Sequence, residues 1–182
     1  ALERRYRAAL VNGITGYKPA NLIGSVDRNG RSNLAIMSSL VHLGSNPPLL
    51  ALVMRPDSVP RHTLDNILAT GHYTVNHVGG AFIERAHQTA ARYPREVSEF
   101  AAVGLGEHWR EGFPAPFVEE ASVRLGMALR DHQPLAINGT HLVIGEVLSL
   151  ELPDACVQED GSVDLAVADS VALAGLDRYY RP

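Results

Sequence analysis

Arg55, Ser58, Arg61, His62 and Thr63 crowd into one short stretch, MRPDSVPRHTLDNI, directly after the apolar run LLALVM. The residues that follow, HTLDNILAT, have helical spacing, with Leu64, Ile67 and Leu68 on one face. The crowd therefore stands at a helix start, where unpaired N–H groups and a partial positive charge attract anions. The chemistry these side chains suit is the holding of a phosphate. Backbone N–H groups and the Ser58 and Thr63 hydroxyls would donate, and Arg55, Arg61 or His62 would supply charge. Lys18 is the sole lysine, so no lysine serves this loop. Asp57 and Asp65 would oppose an anion, or would pair with Arg55 and Arg61 and fix their direction. The loop has a plainer reading too, in which Ser58 caps a helix and the arginines are solvated. The residues themselves leave both open.

Two further stretches carry possible chemistry. NLAIMSSL, Asn33 to Leu40, is slim for a strand, with Ala35, Ser38 and Ser39. Small residues let a flat ligand approach the backbone, or let a helix pack closely. NGTHLVIGEV, Asn138 to Val147, sets His141 just after a glycine-containing turn, where it could meet a ligand or cap the turn.

Other chemistries lack their residues. GLGEHW at Gly104 has neither the third glycine nor the preceding strand of a dinucleotide fingerprint. There is no Walker loop, HExxH, CxxC or GxSxG, and no two of the eight histidines have zinc spacing on a helix. A hydrolase or a metal enzyme is not expected.

The elements that must position these residues are mostly strands. Ala1 to Leu10 reads as a helix. ANLIGSVDRNGRSNLAIMSSLV reads as two strands around a turn at Asp27 to Gly30, with Gly30 free to take a positive φ. SNPP breaks the second strand, and LLALVM is a third, expected to be buried on both faces. HYTVNHV alternates like a strand. AFIERAHQTAARY reads as one amphipathic helix, and PREVSEFAAVGL as another, capped by Ser98. EGFPAPF is irregular. ASVRLGMALRDHQP and THLVIGEVLSLELP are long strands joined by LAING, and the C-terminal stretch is expected to wrap the surface. Strands in hairpins with helices only in the middle suggest a mainly antiparallel barrel.

Composition is consistent with one globular domain. The chain has 182 residues, 46% hydrophobic and 20% charged, enough for a sizeable core. A net charge of −4 argues against general nucleic-acid binding. No apolar run approaches a membrane span. The single cysteine, Cys156, cannot form an intrachain disulfide, which fits a reducing compartment. ALERRYRAAL lacks the apolar stretch of a signal peptide, so a cytoplasmic location is expected; it also lacks an initiator Met, so a trimmed start is expected. Asn138 to Thr140 matches a glycosylation sequon and is read as chance.

NLIGSVDRNGRSNLAIMSSLVHLGSNPPLLALVMRPDSVPRHTLDNI resembles the flavin reductase-like family, the FMN-binding split-barrel proteins that include flavoredoxin and the small reductase components of two-part monooxygenases. NGTHLVIGEV resembles that family's glycine–acid–histidine motif, and GLDRYY a C-terminal signature of one branch. The resemblance runs from about Ala20 to Tyr180. It implies a mainly β fold: a Greek-key split β-barrel with a few short peripheral helices, homodimeric, as a single FMN-binding domain over 1–182. It implies that Asn33, Ala35, Met37, Ser38 and Ser39 line the flavin ring, that backbone N–H groups of the Ala35–Ser39 strand stabilise charge there, and that Arg55, Ser58, Arg61, His62 and Thr63 hold the phosphate. His141 would orient the nicotinamide of NADH or NADPH. The implied activity is an NAD(P)H-dependent flavin reductase, with a monooxygenase or other redox partner. An FMN electron carrier of flavoredoxin type, or a substrate-specific flavoenzyme such as a pyridoxamine-phosphate oxidase, would use the same loop. Thr140 stands where the family has an acid, which leaves NADH against NADPH undecided.

Overall fold

The computed structural model describes residues 2–56 and 60–181. From the N-terminus run α1 (Arg4–Gly13), β1 (Tyr17–Pro19), β2 (Asn21–Val26), β3 (Ser32–Met37), β4 (Leu40–Ser45), β5 (Pro48–Met54), α2 (His62–Thr70) and β6 (His72–His77). A 3₁₀ turn at Gly80–Phe82 leads into α3 (Ile83–Gln88), followed by α4 (Glu99–Val103) and the short β7 (Glu107–His108) and β8 (Phe117–Val118). The long β9 (Arg124–Pro134) and β10 (His141–Glu151) come next, then a 3₁₀ turn at Asp154–Cys156, β11 (Ala172–Ala174) and β12 (Arg178–Tyr180).

The main sheet has seven strands in the order β3-β2-β6-β9-β10-β5-β4, each pair antiparallel. Its two edges, β3 and β4, are separated in the chain by only Ser38 and Ser39. An extended residue spans about 3.5 Å at most. The two edges must therefore lie side by side, and the sheet curls into a barrel split at that seam. The remaining edge of β3 is covered rather than left open. The Leu34 N–H donates to Glu99 Oε2 at 3.0 Å, and the Ile36 N–H to Thr89 Oγ1 at 2.9 Å. Side chains from the helical segment thus take the place of a further strand.

Alternation along β2 divides the core in two. Ile23 faces the barrel interior with Leu52, Met54, Leu64, Ile67, Tyr73, Val75, Met127 and Val143. Leu22 faces the other way and packs with Leu34, Val78, Phe82, Phe100 and Val118 under α3 and α4. Every residue of β2 is buried.

Several expectations are corrected. The strand covered on both faces is β2, not LLALVM, where Val53 is 39% exposed on the outer face of β5. The strand expected to run to SNPP is two strands, because the chain leaves one edge of the sheet at Met37 and joins the other at Leu40. The first helix begins at Arg4, where the Glu3 carboxylate accepts the N–H groups of Arg5 and Tyr6 and sets the start. Leu68 is exposed, because the buried face of α2 is centred on Thr63 and Ile67. The helix expected over AFIERAHQTAARY ends at Gln88, since Thr89 turns inward to meet Ile36. Ser98 sits at the start of α4 without capping it; its hydroxyl lies 2.8 Å from that of Ser32. The C-terminal stretch is partly core: β1, β11 and β12 form a small sheet, and Val171 and Leu173 are buried. The turn at Asp27 to Gly30 forms as expected, with Gly30 at φ 79° and Asp27 Oδ1 accepting the N–H groups of Asn29 and Arg31.

Candidate active site

The barrel delivers β5 to Met54, and the chain then passes through Arg55 and Pro56 to α2. Ser58 and Asp57 lie outside the described residues. Arg61 is the N-cap residue of α2 and is half-buried; its Nε donates to the Pro56 carbonyl at 3.2 Å, folding the loop back on itself. The first intrahelical bond runs from the Asp65 N–H to the Arg61 carbonyl. The amides of His62, Thr63 and Leu64 precede it and have no acceptor within the helix. The far end is closed by Gly71, at φ 74°, whose N–H reaches the Ile67 carbonyl.

A buried polar network fixes this helix start on the sheet. The Asn33 amide donates to Thr63 Oγ1 at 2.9 Å and to Ser25 Oγ at 3.3 Å. The Asn66 amide donates to the same Ser25 oxygen at 3.2 Å. Because Thr63 accepts from Asn33, its own hydroxyl proton remains to be donated elsewhere. Asp65 was expected to oppose an anion or to pair with Arg55 or Arg61. It pairs instead with Arg95, 3.2 Å away, on the exposed side of the helix. The buried Glu99 was not anticipated from the sequence. Burial pushes its carboxyl up, and the Leu34 N–H and the nearby His62 pull it partly back.

At the seam, Asn33, Ala35 and Met37 share one face of β3, and Ala35, Met37, Ser38 and Ser39 are half-buried. The expectation that backbone N–H groups from Ala35 to Ser39 face a ligand is narrowed. The Ile36 N–H is taken by Thr89, and alternation turns those of Ala35 and Met37 towards β2. Among the described residues, the N–H groups of Ser38 and Ser39 have no hydrogen-bond partner. Ser39 is held to β5 from both sides: its carbonyl accepts the Val53 N–H at 3.1 Å, and its hydroxyl donates to the Val53 carbonyl. The two free amides are thereby fixed beside the end of β5.

His141 opens β10, opposite Met54 on one side and Pro134 on the other. It is buried, and its Nδ1 lies 2.9 Å from Nε2 of His132. The turn before it is shaped by Gly139, at φ 72°, and by Asn138 Oδ1, which accepts the Thr140 N–H and hydroxyl. Thr140, standing where an acid was anticipated, is thus engaged within the turn. A Cβ at Gly139 would come 3.5 Å from the Pro56 side chain. Pro56 is therefore the junction of the site: its carbonyl meets Arg61, and its ring lies against the turn that carries His141.

The structure thus assembles two clusters. Asn33, Arg61, His62 and Thr63 surround the start of α2; Ser38, Ser39, Arg55 and His141 gather at the end of β5. The first offers N–H, guanidinium, imidazole and hydroxyl donors with Asp65 drawn away, a set that fits the oxygens of a phosphate. The second offers two unpaired amides over small side chains, which suits the polar edge of a flat ring. His132 was missed. Its partnership is set by the register next to the turn, where His141 pairs with Pro134 and Val143 with His132, ahead of the breaks at Ile144/Gly145 and Val147/Ser149.

A split β-barrel with a donor-rich helix start beside its seam defines a class of flavin-binding folds. The chain belongs to the flavin reductase like domain family, whose model matches residues 17–168. Among solved structures it is similar to a split-barrel protein from Shewanella frigidimarina described as a proposed flavin reductase, with 50% identity, a TM-score of 0.96, and coverage of 100% of this chain and 90% of that one. It shares its fold with nitrilotriacetate monooxygenase component B from Bacillus cereus, at 22% identity and TM-score 0.89, covering 100% and 92%. It also shares it with flavoredoxin of Desulfovibrio vulgaris, at 24% identity and TM-score 0.77, covering 92% and 87%. No helix among the described residues is long and apolar enough to cross a membrane.

Proposed function

We propose that this chain binds FMN as a single domain over residues 1–182 and acts as an NAD(P)H-dependent flavin reductase. The observation that carries the reading is the start of α2, where N–H, hydroxyl, guanidinium and imidazole donors converge and the acid of the first turn is held aside by Arg95. The amides of His62, Thr63 and Leu64, the Thr63 hydroxyl, and Arg55, Arg61 and His62 would hold the phosphate, with Ser58 in the same loop. The amides of Ser38 and Ser39 would meet the polar edge of the ring, with Ala35 and Met37 beneath it. Asn33 serves from behind, by holding Thr63.

When bound, FMN supplies the hydride-accepting chemistry. The protein binds and orients. His141, next to the loop, would position the nicotinamide; no proton transfer is assigned to it. The two free amides would stabilise negative charge at the ring edge. Two macromolecular contacts belong to this reading. Tyr6 and Leu10 on α1, and Ile14 just past its end, are exposed at intervals of one turn; α1 buries no residue, and this face supports a homodimer. The fold shared with a monooxygenase component B supports a monooxygenase as recipient of reduced flavin.

The test is an absorbance spectrum of the purified protein incubated with FMN, followed by anaerobic addition of NADH and then NADPH. A bound flavin band that bleaches rapidly is expected. A band that persists with both nucleotides would replace the reductase with an electron carrier or a substrate-specific flavoenzyme. Failure to bind FMN would leave α2 as a capped helix.

A further inference from the structure

We propose that the cavity between β1, the end of β6 and the segment leading into β11 binds a small neutral ring compound carrying one hydroxyl group, a phenol or a cyclic alcohol. The cavity lies apart from the seam. Asn21 pairs with Met37 on one side and with His77 on the other, so His77 is two strands away from Met37, about 10 Å at ordinary strand spacing. The cavity measures about 310 Å³, at the small end of the range for ligand sites, and suits one ring or two. Its walls are mainly apolar. Pro19 pairs with Ala172, so Tyr17, Pro19 and Ala172 share one face of the small sheet, and Leu165 stands against them from the preceding loop.

His77 and Ser170 supply the polar part of the wall, with His77 Nδ1 3.0 Å from Ser170 Oγ. Among the described residues, His77 Nε2 and the Ser170 hydroxyl have no other partner. The bond between them can run either way, and both ways leave the same remainder. If Ser170 donates to Nδ1, the neutral ring keeps an N–H at Nε2 and the hydroxyl oxygen keeps a lone pair. If Nδ1–H donates, Nε2 keeps a lone pair and Ser170 keeps its proton. One donor and one acceptor therefore remain in either case, and a ligand hydroxyl, itself both, matches them.

The surroundings select a neutral molecule. Among the described residues no carboxylate or guanidinium borders the cavity. Lys18 borders it, but it pairs with Leu173 and alternation turns its side chain to that face of β1. There its ammonium donates to the Asn12 and Gly175 carbonyls at 3.1 and 3.3 Å. An ion in the cavity would lose hydration without gaining a counter-charge. Burial also lowers the pKa of His77, so its ring is neutral at pH 7.

The probe is phenol, titrated into the full chain with and without FMN and followed by ¹H–¹⁵N spectra. Saturable shifts are expected at the residues of β1, at His77 and around Ser170 and Ala172, and they should be the same in the presence of FMN. Toluene has the ring without the hydroxyl, and benzoate has the ring with a charge; each should bind about tenfold more weakly than phenol. Ser170→Ala should weaken phenol several-fold and leave toluene unchanged. Ala172→Leu narrows the cavity from β11 without touching the polar pair, and should abolish phenol binding while FMN affinity stays at the parent value. No saturation by about 10 mM phenol overturns the proposal. So do equal affinities for phenol, toluene and benzoate, displacement of phenol by FMN, or a Ser170→Ala protein that binds phenol as the parent does.

Discussion

The side-chain amide of Asn33 on the edge strand β3 donates to the hydroxyl of Thr63 in the first turn of α2, across 2.9 Å and out of reach of solvent. One hydrogen bond thus joins the two segments that the FMN reading assigns to opposite ends of the ligand. Asn33→Ala would leave the buried Thr63 oxygen without its donor, while Ser25 keeps only Asn66. We expect a stability loss of roughly 1–3 kcal/mol by urea unfolding, and a weaker FMN complex through a less well fixed helix start. Unchanged stability and affinity would show the network to be incidental.

On the FMN reading Arg61 and His62 act on the phosphate, which riboflavin lacks. Arg61→Ala and His62→Ala should each weaken FMN about tenfold or more, the scale of one charge-assisted hydrogen bond. Riboflavin binding should change little. The check is a pair of fluorescence titrations; equal losses for both ligands would mean that the substitutions disturb the loop rather than a phosphate contact.

Inside the barrel, Tyr73 is fully buried and its hydroxyl has no partner among the described residues. Burial pushes its phenol well above the ordinary tyrosine range. The hydroxyl fills the space over Gly145, where a Cβ would come within 2.1 Å of it. Gly145→Ala should therefore destabilise by roughly 2 kcal/mol or more through overpacking. Tyr73→Phe removes an unpaired polar atom, so it should be neutral or stabilising. Thermal unfolding of the two variants, and of the pair combined, reads both effects. The double variant should regain only part of the loss, because the hydroxyl is gone while the ring carbon Cζ still lies 2.9 Å from the added Cβ.

His77, at the end of β6, is largely buried with its Nδ1 3.0 Å from Ser170 Oγ, and burial lowers its pKa to about 4. Its value in the unfolded chain is near 6.5. The unfolded state therefore takes up this proton first as pH falls. The stability that neutral His77 contributes is complete above about pH 6.5, declines as pH drops towards about 4, and is level below that. Between pH 7.5 and 5.5 the parent should lose roughly 1 kcal/mol more than His77→Gln. Identical losses would place the proton uptake at other groups.

Much of the site could be read from residue order. The turn at Gly30, the slim Ala35–Ser39 segment, the helix at His62 and the histidine after Asn138-Gly139 are local features, set by φ preferences, periodicity and small side chains within a few positions. They identify the family because each needs only its own neighbourhood. What local pattern could not supply was partnership. That Ser38 and Ser39 bridge two sheet edges follows from the closure of seven strands. That Thr89 and Glu99 take up the amides of β3 follows from where the helical segment lands on the barrel. Asp65 turns to Arg95, Thr63 to Asn33, and His141 to His132 because the fold brings together residues that are 30, 30 and 9 positions apart. The sequence by itself determined which donors stand at the helix start and which residues are small. The tertiary structure decided which of those donors remain unpaired, since a hydrogen bond is satisfied by whatever lies within about 3 Å in space, and distance along the chain does not report it.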